Sequence, residues 1–190
     1  MSPTPYCSDT RAQLPTRRSF PKQREKSSNK MDSQVLNLNE FRDALGRFAS
    51  GVTVITALDD GKPHGGTANG FVAISLDPPL VLVSLNNQSR IHRVLSCAGR
   101  YGVSVLAENQ KTLSDHFAGP TTDDVSVCFV SRAGMPLLDG AVAYFVVRVI
   151  DVQLVGDHAL YIGDVEHFEF RHDKPLLFYA GRYQQLRVEE

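Results

Sequence analysis

The chain has 190 residues, 42% hydrophobic and 22% charged, with a formal net charge of −1. That size and balance describe one domain able to bury its own core without disulfides or a structural metal, and they give no electrostatic basis for nucleic-acid binding. Cys7, Cys97 and Cys128 form no Cys-x-x-Cys pair, and no apolar run is long enough to span a membrane or to act as a secretory signal, so the expected compartment is a reducing cytoplasm.

Residues 1–36 read as a disordered basic arm. Residues 1–30 carry Arg11, Arg17, Arg18, Lys22, Arg24, Lys26 and Lys30 against only Asp9 and Glu25, with almost no apolar periodicity to offset the entropy of ordering them. The folded domain is expected over residues 37–190. Asn39 is placed to cap a helix whose apolar face is Phe41, Ala44, Leu45 and Phe48, with Gly51 ending it. Val52–Thr56 reads as a buried strand, and the turn cluster Asp59–Pro63 sends a second strand back over His64–Phe71.

Three glycines weaken that second strand unless something approaches its backbone closely. Two readings stand: a bulged strand at a tight crossing, or a surface against which a flat ligand lies, with Thr67 and Asn69 at its edge. Asp77-Pro78-Pro79 breaks the chain before a core strand over Leu80–Leu85. Ser89 caps a helix carrying Ile91, Val94 and Leu95, with Gly99 beyond. A helix N-terminus with Arg90 beside it suits a phosphate, and equally suits a plain serine cap with a surface arginine. Val103–Leu106 is a strand, and Asn109 is placed to cap a short helix through Leu113 and Phe117. Two long apolar segments, Ala141–Val155 and Ala159–Phe170, flank the hairpin signal Gly156-Asp157. His158 is then a mobile hairpin-tip residue, either idle or able to donate to an anionic ligand. Leu176–Tyr179 is the last strand. No histidine pair has metal-ligand spacing, and Cys97 and Cys128 read as small core residues.

Six or seven hairpin-connected strands without βαβ alternation or a Gly-x-Gly-x-x-Gly fingerprint exclude a doubly wound dinucleotide fold. They predict a mainly β domain, a closed antiparallel barrel with a few helices at its rim.

Six segments in this order resemble the flavin reductase-like domain family, the small reductase component of two-component flavin monooxygenases. They are Gly46–Val54, His64–Phe71, Ser75–Leu80, Asp115–Gly119, Gly156-Asp157-His158 and Gly181-Arg182-Tyr183. The resemblance implies an FMN-binding type of split β-barrel, antiparallel and homodimeric, that reduces FMN or FAD with NADH or NADPH and supplies a separate oxygenase. It implies that Thr67, Ala68, Asn69 and Gly70 border the isoalloxazine. Ser84, Leu85, Asn86, Ser89, Arg90 and Ile91 would hold ribityl and phosphate, and Phe117 would pack near the flavin. His158, the catalytic candidate, and Tyr183 would meet the nicotinamide cofactor. Gly70 and Gly66 depart from the family, where Ser and Met are frequent, and Ser104 stands where Asn is frequent. The other readings weighed are an electron carrier with tightly held FMN, and an oxidase of the pyridoxamine phosphate kind, whose basic substrate-binding residues the sequence does not show. Hydride transfer between stacked rings needs no protein nucleophile, which accords with the lack of an acid–base dyad.

Overall fold

The computed structural model describes residues 36–119 and 125–187, so the expected arm lies outside the described residues except for Leu36. Helix α1 spans Leu38–Leu45. Its cap is Asn37, not Asn39: the Asn37 side chain accepts from the backbone N–H of Asn39 at 3.0 Å and of Glu40 at 3.5 Å. The helix ends at Gly46, and Gly51 belongs instead to the short strand β1 (Ser50–Gly51). The apolar face read from the sequence is real but uncovered, with Phe41 and Leu45 exposed and Phe48 83% exposed beyond the helix.

Strand β2 (Thr53–Asp59) is buried along its first five residues, as its β-branched run requires. It turns at Asp60-Gly61 into β3 (Lys62–Ala68). The expected strand His64–Phe71 is two strands: β3 stops at Ala68, and β4 (Phe71–Leu76) begins after Asn69-Gly70. Then come β5 (Pro79–Asn86), α2 (Arg90–Ala98) and β6 (Arg100–Val105). Gly99, at φ +67°, takes the left-handed conformation that closes α2. A 3₁₀ turn over Glu108–Gln110 leads into α3 (Lys111–Ala118). Asn109 lies inside that turn rather than capping; the Gln110 side chain instead accepts from Ala107 N–H at 3.0 Å and donates to the Asp139 carbonyl at 2.7 Å.

The sequence reading has no counterpart for the small hairpin β7 (Phe129–Arg132) and β8 (Met135–Leu138). Its four-residue strands flank a turn at Ala133-Gly134, too short for alternation to stand out. The long hairpin β9 (Ala143–Val155) and β10 (His158–Phe170) follows the apolar segments closely. Strand β11 (Leu176–Tyr179) is not the last, since β12 (Arg182–Gln185) pairs back onto it.

The main sheet is antiparallel with strand order β3-β2-β6-β9-β10-β5-β4, and β1, β11 and β12 form a separate three-stranded sheet. The main sheet is not hydrogen-bonded into a closed barrel. Its outermost strands, β3 and β4, are consecutive in the chain, so the sheet curls until its edges approach and is spanned there by Asn69-Gly70. The β4–β5 ladder runs on into this connection, with Ser84 N–H donating to the Gly70 carbonyl at 2.8 Å.

The core inside the curl includes Ile55, Val83, Leu85, Tyr101, Val103, Val147 and Tyr161, and α2 covers it with Ile91 and Leu95. A second cluster, Val52, Val54, Leu106, Leu138 and Leu176, has Leu113 and Phe117 of α3 packed against it. Cys97 and Cys128 are not core residues: both are exposed free thiols. Ser104, fully buried, accepts from the Leu138 N–H at 2.9 Å and so ties β6 to β8. Among the described residues no helix is long and apolar enough to cross a membrane, and no cluster of metal-ligating side chains occurs.

Candidate active site

Four elements meet at a cavity of about 630 Å³: β3 over Pro63–Thr67, the N-terminus of α2, the C-terminal end of α3, and the start of β7 with Val127 before it. From the sequence-predicted residues it gathers Thr67, Ser89, Arg90, Ile91 and Phe117. The lining also includes His64 and His116, and among the described residues no carboxylate lines it.

The α2 end of this cavity is built by its cap. Ser89 Oγ accepts from the His92 N–H at 3.2 Å, which leaves the hydroxyl hydrogen free to donate. The loop before it is stapled: Ser89 N–H donates to the Asn86 carbonyl at 3.0 Å, Gln88 N–H to Asn86 Oδ1 at 2.8 Å, and Asn87 N–H to the Asp157 carbonyl at 2.9 Å. Arg90 is exposed and makes no ion pair among the described residues, and the first turn of α2 carries no acid. An open guanidinium, a free hydroxyl hydrogen and the unsatisfied N–H groups of a helix start form a donor set for an oxyanion. A phosphate-bearing ligand fits it.

The β3 glycines serve packing more than ligand access. A Cβ on Gly65 would stand 2.6 Å from the Phe117 ring, and one on Gly66 would stand 2.5 Å from Ile91 Cγ2 and 2.9 Å from its Cβ. The ring of Phe117 and the branched side chain of Ile91 therefore occupy the space that side chains would take on this strand. Ile91 fills the room that the frequent Met would need at position 66. Gly70 is looser: an added Cβ would meet Ser84 Cβ at 3.0 Å. Thr67 is engaged as well, donating to the Ser114 carbonyl at 2.7 Å, and so locks α3 onto β3. Ala68, Leu85 and Ile91 are buried, which limits them to backbone contact with a ligand, whereas Asn69 and Asn86 are exposed and Ser84 is half-buried.

The two remaining candidates lie on other elements. His158 is not a free hairpin tip. It opens β10 and is paired with both Asn86 of β5 and Val155 of β9, which fixes its backbone beside the loop leading to Ser89. Its Nδ1 lies 2.8 Å from Asp157 Oδ1. A carboxylate only accepts, so Nδ1 carries the hydrogen and Nε2 is the nitrogen left to face a ligand. A neutral His158 then offers an acceptor, and it donates only as the imidazolium. This bond to His158 is the largest cause holding the Asp157 carboxyl below its ordinary range.

Tyr183, on β12, donates to Asp115 Oδ1 at 2.9 Å and lies 2.9 Å from Ser114 Oγ. Its single hydrogen is thus committed to Asp115, and the serine donates to it. Lys111 Nζ bonds Asp115 Oδ2 at 2.7 Å and lies 5.2 Å from the centre of the Tyr183 ring. The Asp115 carboxyl is held low, first by Lys111 and then by Tyr183, while desolvation raises the Tyr183 phenol. Sequence reasoning missed Lys111, Ser114, His64 and His116, because nothing in their spacing marks them before α3 is packed on β3. His116 stacks edge-on against Phe117 at 4.9 Å, and its buried Nδ1 has no hydrogen-bond partner among the described residues.

A family model described as "Flavin reductase like domain" matches residues 45–187. The chain is 41% identical over 165 residues to an NADH-dependent flavin reductase of a Rhodococcus species, covering 85% of this chain and 93% of that one. It is 36% identical over 151 residues to the reductase component of a 4-nitrophenol 4-monooxygenase/4-nitrocatechol 2-monooxygenase of Rhodococcus opacus, covering 79% and 82%. The solved styrene monooxygenase flavin reductase from Pseudomonas putida S12 superposes with a TM-score of 0.75 at 41% identity, covering 79% of this chain and 99% of that one. A split, curled antiparallel sheet, an anion-ready helix start, and a match running through both belong together: this chain is a member of the flavin reductase-like domain family.

Proposed function

We infer that this chain is an NAD(P)H:flavin oxidoreductase, that residues 37–190 form its catalytic domain, and that it passes reduced flavin to a separate oxygenase component. The observation that carries the flavin site is the meeting of Ser89, Arg90, Thr67 and Phe117 on one cavity. When bound, the nicotinamide supplies a hydride and the flavin accepts it. Arg90 and Ser89 hold the flavin's phosphate, which places the ring system along the Thr67–Gly70 edge and the Ser84–Asn86 strand end. Phe117, pinned in the gap left by Gly65, forms an apolar wall that excludes water. His158 Nε2 and the remaining lone pair of the Tyr183 hydroxyl face the nicotinamide cofactor, which they orient without exchanging a proton with it. Such positioning is where a protein of this kind accelerates the reaction.

NADH is the preferred donor on this reading, in keeping with the NADH-dependent relative from Rhodococcus. The flavin is FMN or FAD. The enzyme works as a homodimer. In support, Val72, Ile74 and Leu76 lie exposed along the open edge strand β4, Leu76 at 92%, and α1 adds Leu38, Phe41 and Leu45. A lone chain rarely leaves so much apolar surface and a sheet edge uncovered. The free thiols Cys97 and Cys128 accord with a reducing cytoplasm.

Steady-state NADH and NADPH oxidation with FMN and with FAD tests the assignment. Saturable turnover of added flavin, with flavin lost on desalting, is expected. A yellow protein that keeps its flavin and does not reduce added flavin would make it an electron carrier instead.

A further inference from the structure

Tyr161 rises from β10 inside the curled sheet and lies fully buried in the core cluster that includes Val83, Ile91 and Leu95, directly under α2. Its hydroxyl reaches the first turn of that helix. It lies 2.8 Å from His92 Nδ1 and 3.2 Å from the His92 carbonyl oxygen. A phenol has one hydrogen, so both contacts are met together when Tyr161 donates to the carbonyl and His92 Nδ1–H donates to Tyr161. Burial pushes the phenol's pKa up to about 12, well away from the neutral range in which it already carries its hydrogen.

His92 is the third residue of α2, and its own N–H donates to Ser89 Oγ. One residue is thereby held from both sides. Its N–H is bound to the serine that lines the cavity, and its ring and carbonyl are bound to a tyrosine anchored in the core. Packing alone does not require the hydroxyl, because phenylalanine would fill nearly the same volume and bury no polar atom.

We propose that Tyr161 is a positioning residue for flavin phosphate: through His92 it fixes the first turn of α2, and with it the places where Ser89 and Arg90 meet the anion. This rests on the assignment of that turn to phosphate above. The role differs from a structural one in a readable way, since it concerns ligands that carry a phosphate and not those that lack it.

The test is fluorescence titration of the full chain with FMN and with riboflavin, for wild type, Tyr161→Phe and Arg90→Ala. Tyr161→Phe should raise the Kd for FMN about three- to tenfold, the scale of one hydrogen bond, and leave riboflavin binding and kcat at saturating FMN nearly unchanged. Should Tyr161→Phe fail to fold, His92→Ala removes the ring contact alone and should show a smaller loss with the same preference for FMN. Equal losses for FMN and riboflavin, or no loss for either, would overturn the proposal. Arg90→Ala separates the two possible failures. If it weakens FMN selectively and Tyr161→Phe does not, the positioning role alone is wrong. If Arg90→Ala does not distinguish FMN from riboflavin, the phosphate assignment falls and the role of Tyr161 falls with it.

Discussion

The proposed flavin end and the proposed nicotinamide end of this domain are held together differently. At the flavin end, residues far apart in sequence are forced together by packing: Gly65 admits the Phe117 ring, Gly66 admits Ile91, and Thr67 bonds α3. At the proposed nicotinamide end the residues are held by polar bonds and strand pairing, most of which also join residues far apart in sequence. His158 is held by Asp157 and the β5 ladder, and Tyr183 by Asp115, Ser114 and Lys111, on a different sheet. The phosphate-ready cavity draws on β3, α2 and α3, the proposed nicotinamide residues stand on β10 and β12, and Ser114 of α3 bonds both Thr67 and Tyr183. Changes at the first end should act through packing and changes at the second through hydrogen bonds, with Ser114 the residue that both share.

The largest effect is expected at the proposed contact with a second copy. Leu76→Asp would place an unpaired carboxylate in the proposed interface, which costs several kcal/mol and should weaken self-association roughly 100-fold or more. Analytical ultracentrifugation should show a monomer, with NADH oxidation largely lost. A dimer of unchanged stability would remove β4 from the interface.

A smaller effect, confined to the flavin end, follows from Gly65. Gly65→Ala would push against Phe117, and overpacking of this kind costs about 1–3 kcal/mol. The melting temperature should fall and flavin affinity with it, while the apparent KM for NADH holds. A shift in KM for NADH with flavin affinity intact would show that the two ends are not separable.

The smallest effect belongs to Asp115. Its folded carboxyl titrates below the ordinary value because Lys111 and Tyr183 stabilise the anion. A depressed folded pKa contributes stability above the unfolded pKa, and that stability is lost as pH falls through the folded one. The melting-temperature advantage of wild type over Asp115→Asn should therefore be present at neutral pH and shrink below about pH 4. Solvent screening keeps it slight, because the pair is exposed. An advantage that does not change with pH would mean that the carboxylate charge is not what holds Tyr183.

Much of this was legible in the sequence, for reasons that name the exceptions. The β9–β10 hairpin showed because thirteen-residue apolar strands flank a glycine turn, and α2 because Ser89 and Gly99 bracket a clear apolar face. The break at Asn69-Gly70 did not show, because a sheet that curls back on itself leaves no signal in local composition. The family pattern singles out Ser89, Arg90 and Phe117, and the structure brings the three to one cavity. The tautomer of His158 and the grip of Tyr161 on His92 depend on contacts between residues that only the fold makes neighbours. The same holds for the cysteines: exposure of Cys97 follows from its position on the outer side of α2, and composition alone assigned it to the core.

The central claim is that the two ends are separable, and a crossed measurement tests it most directly. Flavin Kd from titration and the dependence of flavin reduction on NADH from stopped flow are taken on Arg90→Ala and His158→Ala. Arg90→Ala should weaken FMN by about 1.5–3 kcal/mol, the worth of a charge-assisted contact, with NADH handling unchanged at saturating flavin. His158→Ala should raise the apparent constant for NADH about tenfold, or about 1.4 kcal/mol, and leave flavin affinity nearly intact. If His158→Ala weakens flavin while NADH handling stays normal, or if each variant moves both constants alike, the division of the site into a flavin end and a nicotinamide end is wrong.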